Sequence, residues 1–276
     1  LHSSIARANI RKMKAFCEGH DMAFRPHFKT HQSAAIGAWF KEEGLEKCTV
    51  SSLSMAQYFA EAGWKDICVA IPFNIWEIER AKSLANKLKL HLCIDHPDSL
   101  KPLLESQNHG FHLWIEIDTG YGRSGVHFEN TDLLDHLLEQ MATYDHLDFV
   151  GFLSHTGNSY HALNAHEGPL IFEKARASLM ELKQKYLPQY PNIMLSMGDT
   201  PSTAFAENFD GVDEWRPGNF IFYDWMQYAL GARQEEDIAL KVLCPIIGIY
   251  PHRNEVVIYG GGVHLSKESI PYQNRS

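Results

Sequence analysis

Long apolar runs are missing from this chain. Nothing in its 276 residues approaches the roughly 18 consecutive apolar residues of a membrane helix. No signal-peptide pattern opens the sequence either, so no membrane partner is expected. Cysteine is scarce and patternless: Cys17, Cys48, Cys68, Cys93 and Cys244 are odd in number and lack CxxC spacing. That points to reduced thiols, four of them buried in strands or helices, in a cytoplasmic protein. Positive charge is also short, with 25 Lys and Arg against 34 Asp and Glu and a net charge of −9. A chain of that sign disfavours nucleic acid and anionic membranes, and any anionic ligand must be held by local groups. Internal repeats and low-complexity segments are absent. What remains is ample core material, 45% hydrophobic with 12% aromatic residues.

Apolar runs of strand length alternate with amphipathic helical patterns. The spacing predicts strands at 22–29, 48–52, 66–71, 89–94, 111–118, 147–155, 192–198 and 213–217. A helix over 55–62 is expected to start on Ser54, with others over 99–107 and 131–143. Phe172, Ala175, Leu179, Leu182 and Tyr186 mark a long helix by their 3,4,3,4 spacing. Residues 1–18 read as a helix preceding the first strand. Eight strand–helix units argue for an α/β fold, a (β/α)8 TIM barrel spanning 1–235. From 236 to 276 the texture turns β-rich, with Ile238–Tyr250 and Glu255–Tyr259 joined by a turn at 251–254. The segment is expected to be the start of a C-terminal β domain.

Barrel enzymes keep their chemistry at the C-terminal ends of the strands, which makes those positions informative. The first strand runs into Arg25-Pro26-His27-Phe28-Lys29-Thr30-His31. If the strand persists, His27, Lys29 and His31 share one face, and crowded cationic groups lower a lysine pKa toward nucleophilicity. Taken alone, the same heptad reads equally well as a surface lysine beside two solvated histidines. The seventh and eighth strands run into Gly198-Asp199-Thr200-Pro201-Ser202 and Arg216-Pro217-Gly218-Asn219-Phe220. Loops at those places often hold phosphate, with glycine allowing close backbone approach and Thr200 and Ser202 offering hydroxyls. Asp118-Thr-Gly-Tyr-Gly-Arg123-Ser-Gly125 can fold back to bring Arg123 over the mouth. His155 closes the sixth strand, and Tyr160 follows on its loop. An amine, two arginines, an imidazole and an anion cradle suit an aldehyde cofactor carrying a phosphate, pyridoxal 5′-phosphate. A Schiff-base sugar-phosphate aldolase shares the lysine and the loops but gives no reason for the arginines.

RPHFKTH (25–31), IDTGYGRSG (117–125), SHTGNSYH (154–161), GDTPS (198–202) and RPGNFIFYD (216–224) stand in the order found in one family. On these motifs the chain resembles the fold-type III pyridoxal-phosphate enzymes, in the group of D-serine dehydratase and D-threonine aldolase. The resemblance implies an alanine-racemase-like barrel followed by a β domain, in a homodimer. It implies that Lys29 carries the cofactor, that Arg123 reaches its ring substituents and that His155 lies on or near the ring. Gly198, Asp199, Thr200, Ser202, Gly218 and Asn219 would then hold the phosphate, while Arg216 would face the pyridine nitrogen. Lys29, His155 and Tyr160 are the expected catalytic groups. The implied activity is a lyase on D-configured β-hydroxy amino acids, and SHTGNSY with GDTPS favours the dehydratase branch, acting on D-serine or D-threo-3-hydroxyaspartate. D-threonine aldolase, an amino-acid racemase and a non-catalytic cofactor carrier are the alternatives. The family's divalent metal, Zn or Mn, uses a His and a Cys for which this sequence has no counterpart. His252 and His264 do not fit that pattern, so the expected metal ligands lie outside the given sequence.

Overall fold

The computed structural model describes residues 1–161 and 167–266. Nine strands form one parallel sheet: β1 (Ala23–Phe24), β2 (Lys47–Val50), β3 (Asp66–Pro72), β4 (Lys89–Ile94), β5 (Phe111–Asp118), β6 (Val126–His127), β7 (Leu147–Leu153), β8 (Met194–Met197) and β9 (Glu214–Trp215). They pair in the order β1-β9-β8-β7-β5-β4-β3-β2, with the short β6 beside β5. A bridge between His27 and Thr49 joins the ends of that path and closes the barrel. Helices follow the strands, as the alternation in the sequence requires. No helix among the described residues is long and apolar enough to cross a membrane.

Alternation along each strand separates two interiors. Ile67, Val69, Leu90, Leu92, Leu113 and Ile115 face outward into one large apolar cluster shared with the helices. The residues between them face inward, and Cys68, Ala70, Cys93, Trp114 and Leu153 form a small second cluster. The same inward register carries Arg25, His91, Glu116, Ser196, Glu214 and Arg216, all buried. This barrel is therefore filled partly by charge, which must be paired to be tolerated. Cys17, Cys48, Cys68 and Cys93 are buried free thiols, and Cys244 is half-buried.

Three expectations change in detail. The first strand does not run to residue 29. Pairing stops at Phe24 and resumes only at His27, and Phe28–Thr30 turns into a 3-10 helix. Pro26 has no N–H to give a ladder, and the turn buries the Phe28 ring against Phe40, Phe59 and Trp64. The helix Leu53–Glu61 starts on Ser52, not Ser54, because Ser52 Oγ accepts the N–H of Met55 while Ser54 Oγ pairs with the Ser52 hydroxyl. The segment 238–245 is not strand; Ala239 docks on the barrel, donating to Phe222 O and accepting from His2 N. Among the described residues of this segment, only β10 (Ile246–Tyr250) and β11 (Glu255–Ile258) pair, as an antiparallel hairpin whose apolar side chains are exposed. Residues 267–276 of the expected β domain lie outside the described residues.

Candidate active site

The strand ends surround a cavity of about 560 Å³, within the range that holds small ligands. His27, Lys29, Arg123, His155, Tyr160, Gly198, Asp199, Arg216, Gly218 and Asn219 line it, so it gathers most of the residues singled out in the sequence. The Lys29 side chain opens into this space from the 3-10 turn. Lys29 as a residue is exposed, but its ammonium is held below the ordinary lysine range, first by partial desolvation in the cavity and then by the positive fields of Arg123 and Arg216. The expected histidine field is not the cause. His27 is buried and kept neutral, and its Nδ1 accepts the backbone N–H of Lys29 at 3.3 Å. His31 is not on the same face: its ring packs against Phe28, Phe40 and Phe59, behind the turn. The tight turn after Pro26, which the strand pattern did not reveal, separates the two histidines.

His155 lies 3.0 Å from the carbonyl of Gly198 through Nδ1. A carbonyl only accepts, so Nδ1 carries the proton and Nε2 keeps a lone pair. Burial, helped by Lys29, Arg123 and Arg216, brings this imidazole down to about 4, and it is neutral near pH 7. Tyr121 packs edge-on to His155, and Arg123 sits over the Tyr121 ring. Gly157 makes that packing possible, since a Cβ there would lie 2.5 Å from the tyrosine ring. The mouth loop is thus seated on the loop after β7.

Arg216 is buried, with Nε donating to Ser196 Oγ at 2.7 Å and Nη2 to the carbonyls of Ser154 at 2.7 Å and Ser196 at 3.2 Å. Glu116, a cavity residue that the sequence reading missed, is 3% exposed. Its Oε1 accepts from Ser124 Oγ at 2.8 Å and lies 3.7 Å from Arg123, while its buried Oε2 has no partner among the described residues. Burial raises its carboxyl above the ordinary range. A carboxylate in the middle of the apolar strand Phe111–Asp118 was the signal available for it.

Thr200 and Ser202 are not on the cavity wall, contrary to expectation. Thr200 Oγ1 accepts the N–H of Phe220, and Ser202 Oγ donates to Asp199. Asp199 itself is saturated by Thr156, Ser159 and Ser202. An acid so used is a knot between two loops and a poor partner for an anion. Amide donors without a backbone partner stand in the other loop. The amides of Gly218 and Asn219 open the turn Asn219–Ile221 and bond no backbone acceptor among the described residues. Gly218 itself fits only because it has no side chain; a Cβ would meet His27 and Thr30 at 3.1–3.2 Å. Tyr160 adds a phenol that accepts from Thr200 N and stays protonated, since burial raises its pKa. A primary amine below its usual pKa, a buried guanidinium and free amides in one cavity fit an aldehyde that carries an anionic group. No group of three His, Cys, Asp or Glu residues that could hold a metal ion exists among the described residues.

Residues 2–224 match the family model described as alanine racemase, N-terminal domain. D-serine dehydratase of Dictyostelium discoideum is 32% identical over 96% of this chain and 72% of its own length. D-threo-3-hydroxyaspartate dehydratase of Delftia sp. strain HT23 is 29% identical over 94% of the chain and 70% of its own length. The solved structure of that Delftia enzyme superposes with a TM-score of 0.89 at 28% identity, covering 96% of this chain and 71% of that one. With a matching domain over the barrel and these relatives over nearly all of the chain, the protein belongs to the fold-type III, alanine-racemase-like family of pyridoxal-phosphate enzymes, in the group of D-serine dehydratase and D-threonine aldolase.

Proposed function

We propose that the cavity binds pyridoxal 5′-phosphate on Lys29 and that the chain is a lyase, in the first place a dehydratase, for D-configured β-hydroxy amino acids. The observation that carries this reading is the Lys29 amine, held below its ordinary pKa between Arg123 and Arg216 and facing the Gly218–Asn219 amides. Lys29 would hold the aldehyde carbon, the amides of Gly218 and Asn219 the phosphate, and Arg216 the pyridine nitrogen. When bound, the cofactor supplies an electron sink for the pair left at Cα. As a free amine, the Lys29 Nζ would be the base placed to take the Cα proton, and a base on one side selects one configuration. For dehydration the β-hydroxyl has to leave as water, and Tyr160 Oη, still protonated, would be the donor to that oxygen; His155 Nε2, neutral and carrying a lone pair, would instead take the β-hydroxyl proton in the aldolase reading. Arg123, seated over Tyr121, covers the mouth and limits water.

The reading includes a homodimer, a cytoplasmic location, a domain boundary near 235/236 and a divalent metal. The described residues provide no ligand set for that metal, and no step above depends on one. The test is incubation of the full-length protein with D-serine, D-threonine and D-threo-3-hydroxyaspartate, with and without Zn2+ or Mn2+. Keto acid and ammonia from D-serine or the hydroxyaspartate are expected. Glycine and an aldehyde from D-threonine as the main products would place the chain in the aldolase branch, and racemised substrate without keto acid would overturn the lyase.

A further inference from the structure

The barrel interior beneath the cavity holds a line of buried charge. Glu214, 1% exposed, accepts from Arg25 Nε at 2.6 Å through Oε2 and from Ser196 Oγ at 2.7 Å through Oε1. Ser196 Oγ in turn accepts from Arg216 Nε at 2.7 Å. Arg25 also pairs with Asp66, which lies 3.2 Å from His91 Nε2. Burial pushes the Glu214 carboxyl up, but Arg25 outweighs it and holds the group below the ordinary range, so it is ionised. A guanidinium cannot accept and a carboxylate cannot donate. The single Ser196 proton therefore has one permitted direction, toward Glu214, which leaves its lone pair for Arg216.

We propose that Glu214 is a positioning residue for Arg216, acting through the Ser196 hydroxyl to fix the guanidinium that faces the cofactor ring. The inference rests on the reading in which the cavity holds pyridoxal phosphate. With Nε and Nη2 committed to Ser196 and Ser154, Nη1 is the nitrogen without a hydrogen bond among the described residues, and Arg216 is one of the residues that line the cavity. The lock on that nitrogen is set two residues away in the sequence and on the far side of a hydroxyl. Loss of the Glu214 charge frees the Ser196 proton to turn. Arg216 Nε then meets a donor, and the guanidinium is left on its Nη2 bonds to the carbonyls of Ser154 and Ser196, free to tilt about them. Asp66 serves as the contrast, because it holds Arg25 but touches neither Ser196 nor Arg216.

The experiment is a cycle of Glu214→Gln, Ser196→Ala, the double variant and Asp66→Asn in the full-length protein. Wild type is first loaded with pyridoxal phosphate and reduced with borohydride to locate the adduct. An adduct absent from Lys29 defeats the cofactor reading itself, and this inference with it. With the adduct on Lys29, three readouts follow: the cofactor dissociation constant, the pH midpoint of its visible absorbance, and the thermal midpoint. Lys29, His27, His155, Arg123 and Glu116 face the same space and are unchanged in every variant. Glu214→Gln and Ser196→Ala are expected to weaken cofactor binding by about tenfold, the scale of one hydrogen bond to a charged group, and to move the midpoint in the same direction. The double variant should add nothing further, because the two act in series. Asp66→Asn should lower the thermal midpoint while leaving the absorbance titration at its wild-type position. An unchanged titration in Ser196→Ala, additive effects in the double variant, or an equal shift in Asp66→Asn would overturn the proposal. Ser196→Ala decides the matter even if Glu214→Gln does not fold.

Discussion

Gly218 approaches His27 so closely that a Cβ on it would lie 3.1 Å from both the Cβ and the carbonyl oxygen of that histidine. The last barrel loop is thereby docked on the turn that carries Lys29, and the two ends of the barrel meet at the cofactor cavity. Chain closure and site assembly are one event here: the hydrogen bond from His27 N to Pro217 O at 2.9 Å belongs to both.

Gly218→Ala is therefore expected to separate binding from stability. The neighbouring backbone has to give by a few tenths of an ångström, a strain of about 1 kcal/mol in a packed site. The amides of Gly218 and Asn219 move with it. Cofactor affinity should fall by about tenfold, while the thermal midpoint of the apoprotein falls by only a few degrees, the scale of about 1 kcal/mol. Equilibrium dialysis with pyridoxal phosphate and a melting curve check this. Wild-type affinity in the alanine variant would mean that the phosphate is held elsewhere.

The pKa of Lys29 gives a kinetic expectation. The amine is the reactive form, and the site holds this lysine below its ordinary range by burial first and by Arg123 and Arg216 second. Capture of the cofactor aldehyde should rise with pH through a midpoint below that of a free lysine side chain. Arg123→Ala removes one of the repelling charges, so the midpoint should move up. Stopped-flow absorbance across a pH series measures both, at saturating cofactor so that binding differences drop out. A midpoint that does not move assigns the effect to burial and Arg216 alone.

Thr200→Val tests the revised role of the loop after β8. Thr200 Oγ1 accepts from Phe220 N at 3.2 Å, in a buried setting. Valine leaves that N–H without its partner, which costs about 1–3 kcal/mol. The loss should appear in the denaturation of the apoprotein, with any fall in cofactor affinity following it. A variant of unaltered apoprotein stability but weak cofactor binding would return Thr200 to the phosphate itself.

The barrel was legible in the sequence because strand and helix periods differ sharply and both recur eight times. The long helix Glu167–Tyr186 buries Phe172, Ala175, Leu179, Leu182 and Tyr186, as their spacing requires. Lys29, Arg123, His155 and Arg216 were found because they follow strand ends, in the turns and loops that open from the C-terminal side of the barrel. Glu116 and the Arg25–Glu214 pair were not found. Their meaning lies in which residues sit opposite across the barrel, and a strand period says only which face a residue takes. His31 was misplaced for a related reason: periodicity could not show that Pro26 interrupts the ladder and that Phe28 pulls the chain into a turn.

The last expectation concerns acid. Burial brings His31, His91 and His155 down to about 4 from an ordinary value near 6.5. Between those values the unfolded chain binds protons that the folded chain refuses, so stability rises with pH across this window. It should be intact above about pH 6.5 and fall progressively as pH drops toward about 4. Asp66 and Glu214, both held below the carboxylate range, act in the same sense but at lower pH, as each is protonated through its depressed value. Glu116 and Asp199, raised by burial, act in the opposite sense: their contribution is present in acid and is lost as pH rises through their folded values. His31 is the residue with which to isolate one imidazole, because its Nε2 is buried without a partner among the described residues and its ring stands among phenylalanines. His31→Leu removes the group that must charge and keeps an apolar side chain in contact with Phe28 and Phe40. Urea unfolding at pH 7 and pH 5 should show a smaller difference in this variant than in wild type, with cofactor binding at pH 7 within about twofold. An unchanged pH dependence would mean that His31 titrates freely, and a large loss of cofactor would mean that it stands beside Lys29 after all.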